Sequence, residues 1–256
     1  MIGNIEELPD KPGVYFFYDE KDVLIYIGKS INIRKRVKQH FSGKDRKSIK
    51  IQLFTKRIEF EVTGSELIAL LHESDLIKRH KPIYNRTQRK TIFQYGLYQN
   101  DFLGYKSLNI EKINSTKKEI TTFTTFKEAK EALFKITEKY KLCQKINGLY
   151  KSSGSCFQYQ IKECQGACLM KESTEEYNKR VDLFVSKNFL EKFSKCIELP
   201  GRTKKETGLV YIENGIYKGF GFCNSSDKQH NFIDFIEAKT DTKDARRIII
   251  NYLSKI

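Results

Sequence analysis

Residues 12–41 read PGVYFFYDEKDVLIYIGKSINIRKRVKQHF, and the fold is decided there. Gly13 to Tyr18 and Val23 to Ile27 are runs of β-branched and aromatic residues separated by the polar DEKD of residues 19–22, which predicts a β-hairpin. Ser30 is placed to cap a helix running to Phe41, in which Ile33, Val37 and Phe41 recur as the buried stripe. Further on, Arg57 to Val62 alternates apolar and charged residues and predicts a third strand. Thr63 and Glu66 have capping-box spacing, and Leu67, Leu70, Leu71 and Ile77 give the next helix an apolar face that ends before Pro82. The order β-β-α-β-α predicts a compact α+β unit over residues 1–90, an antiparallel sheet flanked by helices.

The chain has 256 residues, 39% hydrophobic and 31% charged, enough for a packed core and too apolar for wholesale disorder. Its 47 Lys and Arg against 32 Asp and Glu give a net charge of +15, which points to a polyanionic partner, nucleic acid first, rather than a small metabolite. Eleven of the basic residues lie from Lys29 to Arg57 with one acid, Asp45, and six from Lys78 to Lys90 with none. The basic surface therefore belongs to the first 90 residues. The N-terminal MIGNIEELPDKPG has no leader-like character and no run of 18 apolar residues occurs, so the reading is a cytoplasmic protein with no membrane partner.

Beyond residue 90 the patterns are weaker. Residues 91–122 read as a linker with weak strands, and 123–197 as a helical region interrupted by a cysteine-rich loop. Thr125 and Glu128 form a capping box ahead of Phe126, Ala129, Leu133, Ile136 and Tyr140. Ser173 and Glu176 form another, ahead of Tyr177, Val181, Phe184, Val185 and Leu190. Residues 198–256 predict a small α/β tail, with Asn214-Gly215 as a hairpin turn and a helix from Asp244 to Leu253.

Chemistry-bearing residues cluster in the first unit. Tyr15 and Tyr26 lie on the two strands of the hairpin, and Arg36 and His40 are four apart on one helix face. An arginine beside an imidazole or phenol can grip a phosphate through two parallel hydrogen bonds. Glu73, set in the apolar LIALLHESDLI, is either a satisfied structural carboxylate or a ligand for a divalent cation. Each has a blander reading: tyrosines pack sheets, Arg36 belongs to a solvated face, and Glu73 pairs with Arg79 or a backbone donor. His72, His80 and His230 show no ligand spacing and read as structural, while Gly28 and Gly64 read as turn or close-approach positions.

Taken together, residues 12–41 and VTGSELIALLHESDLIKRHKPIYN of residues 62–85 closely resemble the GIY-YIG nuclease domain of the kind found at the N-terminus of UvrC. The resemblance spans Leu8 to Arg89 and implies a DNA endonuclease of excision repair that hydrolyses a phosphodiester with one Mg²⁺ or Mn²⁺. It implies that Tyr15 activates the attacking water, that Tyr26 and Lys29 place water and phosphate, and that Arg36 steadies the transition state. It further implies that Glu73 holds the metal and that Asn85 buttresses the site. Val14 stands where the eponymous motif has isoleucine, and His40 where UvrC often has tyrosine, as a proton relay or phosphate donor. Implied partners are DNA and damage-recognition proteins or an exonuclease. The competing expectation is a DNA-binding and docking module with an idle nuclease site.

Cys143, Cys156, Cys164 and Cys168 follow the order C-x12-C-x7-C-x3-C, four thiols within 26 residues. On spacing alone they are reduced, partly buried bystanders or a Cys₄ zinc site, although the usual C-x2-C knuckles are absent. The region beyond Ile120 resembles the cysteine-bearing continuation of UvrC, which implies a [4Fe-4S] cluster. Cys196 and Cys223 fall outside the pattern.

Overall fold

The computed structural model describes residues 5–86, 92–114, 117–188, 194–224, 226 and 231–253. Leu190, His230 and the basic residues Arg89 and Lys90 named above lie outside them. The chain divides into two units, residues 1–91 with 191–252 and residues 92–190 with 253–256.

In the first unit, β1 (Gly13–Tyr18) is the centre of a three-stranded antiparallel sheet, flanked by β2 (Leu24–Ser30) and β3 (Arg57–Val62). A central strand is covered on both faces, which is why GVYFFY is apolar throughout rather than alternating. Tyr15 and Phe17 pack with Tyr26 against Ile33 and Val37 of α1 (Ile33–Ser42) and Ile51 of α2 (Arg46–Phe54). Val14, Phe16 and Ile27 pack on Leu76 and Ile77 of α3 (Glu66–His80). Each large apolar side chain so buried contributes roughly 1.5–3 kcal/mol.

The predicted order of elements is present, with three corrections. Asn32, not Ser30, caps α1, accepting from the Lys35 amide at 2.8 Å, while Ser30 closes β2 and donates to the Asn32 carbonyl at 2.7 Å. Ser65, not Thr63, caps α3, and the Thr63 hydroxyl braces that cap by donating to the Ser65 carbonyl at 3.0 Å. Helix α2 is an addition to the expected order, and Asp45 caps it by accepting from the Lys47 and Ser48 amides.

As an edge strand, β2 would present bare backbone groups along residues 25, 27 and 29. They are covered. The Tyr84 amide donates to the Ile25 carbonyl at 3.0 Å, the Asn85 carboxamide both accepts from the Ile27 amide and donates to its carbonyl, and Glu73 accepts from the Lys29 amide at 3.0 Å.

The tail is larger than a hairpin and helix. Strands β7 (Lys195–Pro200), β8 (Glu206–Glu213), β9 (Ile216–Asn224) and β10 (Ile236–Ala238) form an antiparallel sheet in the order β10-β9-β8-β7. Asn214 and Gly215 make the predicted turn with φ of 49° and 75°, the left-handed pair a two-residue hairpin requires. This sheet packs on α3. A Cβ on Gly208 would lie 2.7 Å from Ile68 Cδ1, Phe220 stacks edge-on to His72 at 5.3 Å, and Lys78 pairs with Asp244 of the C-terminal helix Lys243–Leu253.

The second unit corrects the reading of residues 91–122 as a linker. Strands β4 (Tyr95–Phe102), β5 (Tyr105–Lys112) and β6 (Thr121–Phe123) form a sheet in the order β5-β4-β6, and Leu97, Leu108 and Phe123 share one core with the helices that follow. Those are α4 (Phe126–Lys139), the short α5 (Phe157–Gln160) and α6 (Thr174–Asn188). Thr125 caps α4 as expected, accepting from the Glu128 amide at 3.1 Å, and the Glu176 amide donates to Ser173 at 3.2 Å.

Asn147 is the polar hub of this core. Buried, it accepts from the Leu108 amide at 2.6 Å and donates to the Cys143 carbonyl at 2.7 Å and the Tyr177 hydroxyl at 2.8 Å. Asn147→Ala leaves the buried Leu108 amide without its acceptor and takes one bond each from the Tyr177 hydroxyl and from the Cys143 carbonyl, which keeps the Asn147 amide, and is expected to cost about 2 kcal/mol, read as a lower denaturation midpoint. A loss below about 0.5 kcal/mol would show that the hub does not tie the sheet to the helices. Among the described residues, no helix is long and apolar enough to cross a membrane.

Candidate active site

Register brings the tyrosines together. Phe17 pairs with Tyr26 and Tyr15 with Gly28, so both phenols leave the sheet on the α1 side. Their ring centroids are 6.0 Å apart, and His40 joins them at 5.8 Å from Tyr15 and 5.3 Å from Tyr26. Tyr15 is 1% exposed and lies flat over Gly28, where a Cβ would fall 2.3 Å from its hydroxyl oxygen. The glycine is therefore required by the close approach of the phenol.

The Tyr15 hydroxyl and His40 Nε2 are 2.8 Å apart. Burial, reinforced by Arg36 and Lys47, lowers His40 to about 4, so the imidazole is neutral at pH 7. Burial and then the neighbouring Tyr26 push the Tyr15 phenol well above its usual range, and burial and then Glu73 raise Tyr26 to about 12. Both phenols are protonated at neutral pH. A neutral imidazole carries one N–H, so the bond runs from the Tyr15 O–H to Nε2 when the imidazole proton is on Nδ1, and from Nε2–H to the phenol oxygen in the other tautomer.

Glu73 stands on α3 at the open end of this cluster. Its Oε1 accepts from the Lys29 amide, and among the described residues no protein donor reaches the second oxygen. Burial raises the carboxyl to about 7, against the opposing pull of the Lys29 amide and of Lys29, Lys47 and Arg36. A partly buried carboxylate with one oxygen aligned and the other open suits a hard divalent cation, which takes oxygen ligands and relieves that burial cost.

Tyr15, Tyr26, Arg36, His40 and Glu73 converge, and the Arg36 charge acts on the other four. Arg36 itself is exposed and donates to Gln39 at 3.0 Å. The Lys29 ammonium pairs with Glu66 at 2.6 Å, and both its amide and its charge act on Glu73. Asn85 directs its amide to the Ile27 backbone. Lys47, which the sequence reading does not single out, sits over the Tyr26 ring at 4.2 Å. The signal for it is Asp45 with Ser48 three residues on, a cap that announces α2.

The family described as UvrC-like GIY-YIG domain matches residues 11–86. The chain carries a UvrC-type GIY-YIG domain. The family described as UvrC/Cho excinuclease, middle domain, matches residues 96–187, so a UvrC-type middle domain follows it. Excinuclease cho of Shigella flexneri is 35% identical over 184 residues, 69% of this chain and 61% of that protein. UvrABC system protein C of Methanosarcina mazei is 31% identical over 190 residues, 72% of this chain and 35% of that protein. The chain thus spans about three fifths of the length of the Cho relative it matches. The crystal structure of the GIY-YIG N-terminal endonuclease domain of UvrC from Thermotoga maritima, bound to magnesium, aligns at 33% identity over 32% of this chain and 90% of that one, with a TM-score of 0.30.

In the UvrC-type middle domain Cys143, Cys156 and Cys168 come together, with Cys164 against Cys156. Cys143 and Cys156 sulfurs are 3.8 Å apart and Cys156 and Cys164 3.7 Å, and the sulfurs of Cys143, Cys156 and Cys168 all lie within 4.8 Å of one another. All are free thiols. Burial raises Cys156 to about 11, while a hydrogen bond from Cys143 lowers Cys164. Cys196 and Cys223 belong to the tail, on β7 and β9.

Proposed function

We propose that this chain is a divalent-metal-dependent endonuclease that nicks DNA in UvrC-like excision repair. The observation that carries the reading is the convergence of Tyr15, Tyr26, Arg36, His40 and Glu73 at one end of a sheet. Glu73 holds Mg²⁺ or Mn²⁺, which supplies Lewis-acid stabilisation of the phosphate and leaving oxygens. Tyr15 orients the attacking water and takes the water proton as it passes its own to His40 Nε2, 2.8 Å away. His40 is the acceptor in this relay rather than a phosphate donor. Tyr26 shapes the water site, and Arg36 stabilises the negative charge that builds on the phosphorane. The Lys29 amide holds Glu73 in place while Glu66 anchors the Lys29 ammonium, and Asn85 fixes Ile27 between Tyr26 and Gly28.

The assay is nicking of supercoiled plasmid and of lesion-bearing duplexes with Mg²⁺ or Mn²⁺. Relaxed circles that appear with metal and vanish in EDTA are expected, and tight DNA binding without nicking under any metal would leave a docking module. Locating the damage falls to a partner repair protein.

We further propose that Cys143, Cys156, Cys164 and Cys168 hold a thiolate-bound metal centre with a structural or redox-sensing role. Separations of 3.7 and 3.8 Å match the sulfur–sulfur edge around one ion at about 2.3 Å, and Cys143, Cys156 and Cys168 are three mutually close sulfurs, so a single Zn²⁺ needs Cys164 to move in as the fourth ligand. The cysteine order, which resembles that of UvrC, favours a [4Fe-4S] cluster, for which the sulfurs must open outward. Anaerobically purified protein should carry either one zinc or about four irons with sulfide, and Cys156→Ser should release it. Protein free of both metals would leave four bystander cysteines.

A further inference from the structure

The basic stretch from Lys29 to Arg57 is not uniformly available to a partner. Lys29, Arg34, Lys38 and Arg57 are ion-paired with Glu66, Asp10, Glu6 and the pair Asp22 and Glu59. The other seven cations have no acidic partner among the described residues, and five of the seven fall between Lys44 and Lys56, on or beside α2. Asp45, the one acid there, is engaged as the helix cap: one oxygen accepts from the Lys47 and Ser48 amides and the other from the Ser48 hydroxyl. The free positive charge of the stretch is thus concentrated on α2.

The faces of α2 are equally uneven. Ser48 and Ile51 point inward, and Gln52 ties the helix to α1 by donating to the His40 and Gly43 carbonyls at 3.0 and 2.7 Å. Arg46, Ile49, Lys50 and Leu53, spaced i, i+3, i+4 and i+7, share the opposite face. Ile49 is 53% and Leu53 64% exposed, two branched aliphatics between unpaired cations. Lys50 is three residues on from Lys47, whose ammonium sits over Tyr26, so the edge of this face adjoins the candidate active site.

We propose that the outward face of α2 is a groove-inserting DNA contact beside the scissile phosphate. Arg46 and Lys50 engage the phosphate ridges, and Ile49 and Leu53 press into the groove and loosen a base step. Apolar wedges flanked by cations are what proteins use to unstack and kink DNA, and the energy of unstacking is smallest where pairing is already disturbed. The unneutralised cations select DNA over an apolar protein surface, which would bury them without partners. This inference rests on the reading of the chain as a DNA nuclease and adds to it a physical source of preference for distorted duplex.

Binding of the whole chain to a labelled matched duplex and to the same duplex with a two-base bubble, both in EDTA, tests it without cleavage. Wild type is expected to prefer the bubble. Ile49→Ser with Leu53→Ser, both on an exposed face, should keep the wild-type melting temperature, lose about tenfold in affinity for the bubble and lose the preference, with an unchanged salt dependence. Arg46→Ala with Lys50→Ala should instead weaken binding to both duplexes and lower the slope of log K against log salt by about two. Serine variants that bind both duplexes as wild type does would overturn the inference and leave the face to a protein partner, while the nuclease reading stands. Failure of the wild-type chain to bind any DNA would sink both.

Discussion

Glu73→Gln is expected to lower the cleavage rate by roughly a thousandfold or more while changing DNA affinity less than about threefold. The substitution keeps the shape of the side chain and an oxygen that can still accept from the Lys29 amide, so the cover of β2 survives. What it removes is the charge that holds a cation, and none of the basic surface. Single-turnover nicking alongside gel-shift titration separates the two effects, and parallel losses in rate and affinity would reassign Glu73 to structure. The raised carboxyl fixes the sign of the pH dependence. With a value of about 7, the metal-free carboxyl is increasingly protonated below pH 7, so metal affinity should rise with pH up to about 7 and level off above it. Stability runs the other way. A carboxyl raised on folding stabilises the native state at low pH, and that contribution is lost as pH rises through about 7. Metal-free Glu73→Gln should therefore melt higher than metal-free wild type at pH 8, and added Mg²⁺ should raise the melting temperature of wild type alone.

Gly28→Ala should reduce cleavage by about a hundredfold and cost about 1–3 kcal/mol of stability. The added methyl would lie 2.3 Å from the Tyr15 hydroxyl oxygen and 2.4 Å from Cζ, inside contact distance for both. Tyr15 cannot swing away, because Phe17, Tyr26 and His40 enclose its ring at centroid distances of 5.2, 6.0 and 5.8 Å. Either the hydrogen bond to His40 breaks or β1 and β2 part, and both outcomes displace the phenol from the water it orients. Thermal melts and cleavage rates measure the two losses. A Gly28→Ala variant as active as wild type would mean that the position of Tyr15 is not critical.

The hairpin, α1 and α3 are legible in the sequence because their apolar residues follow the period of the element that forms. Helix α2 is not, because Ile49, Ile51 and Leu53 alternate as a strand would, and of these and Phe54 only Ile51 is buried. The apolar residues facing solvent hide the one facing the core. Strands β4 and β5 read as linker because Gly96, Asn100 and Gly104 interrupt their alternation, although Leu97 and Leu108 are fully buried. The expected caps fall two positions early because Ser30 and Asn32, like Thr63 and Ser65, compete for one helix start, and only the backbone direction at the strand end decides between them. At the candidate site, Tyr15, Tyr26, Arg36, His40 and Glu73 are visible as residue types in a pattern. The partnership of Lys29 with Glu66, and Lys47 above Tyr26, depend on packing across elements that no local spacing encodes.

In the proposed mechanism everything depends on Glu73 presenting its open carboxylate oxygen to a cation beside Tyr26. Crystals of the protein soaked in Mn²⁺ and measured at the manganese edge test this directly. The expected result is an anomalous peak about 2.1 Å from Glu73 on the side of Tyr26, lost in Glu73→Gln. Manganese bound elsewhere in the nuclease domain, or a peak at this place that survives the substitution, would contradict it.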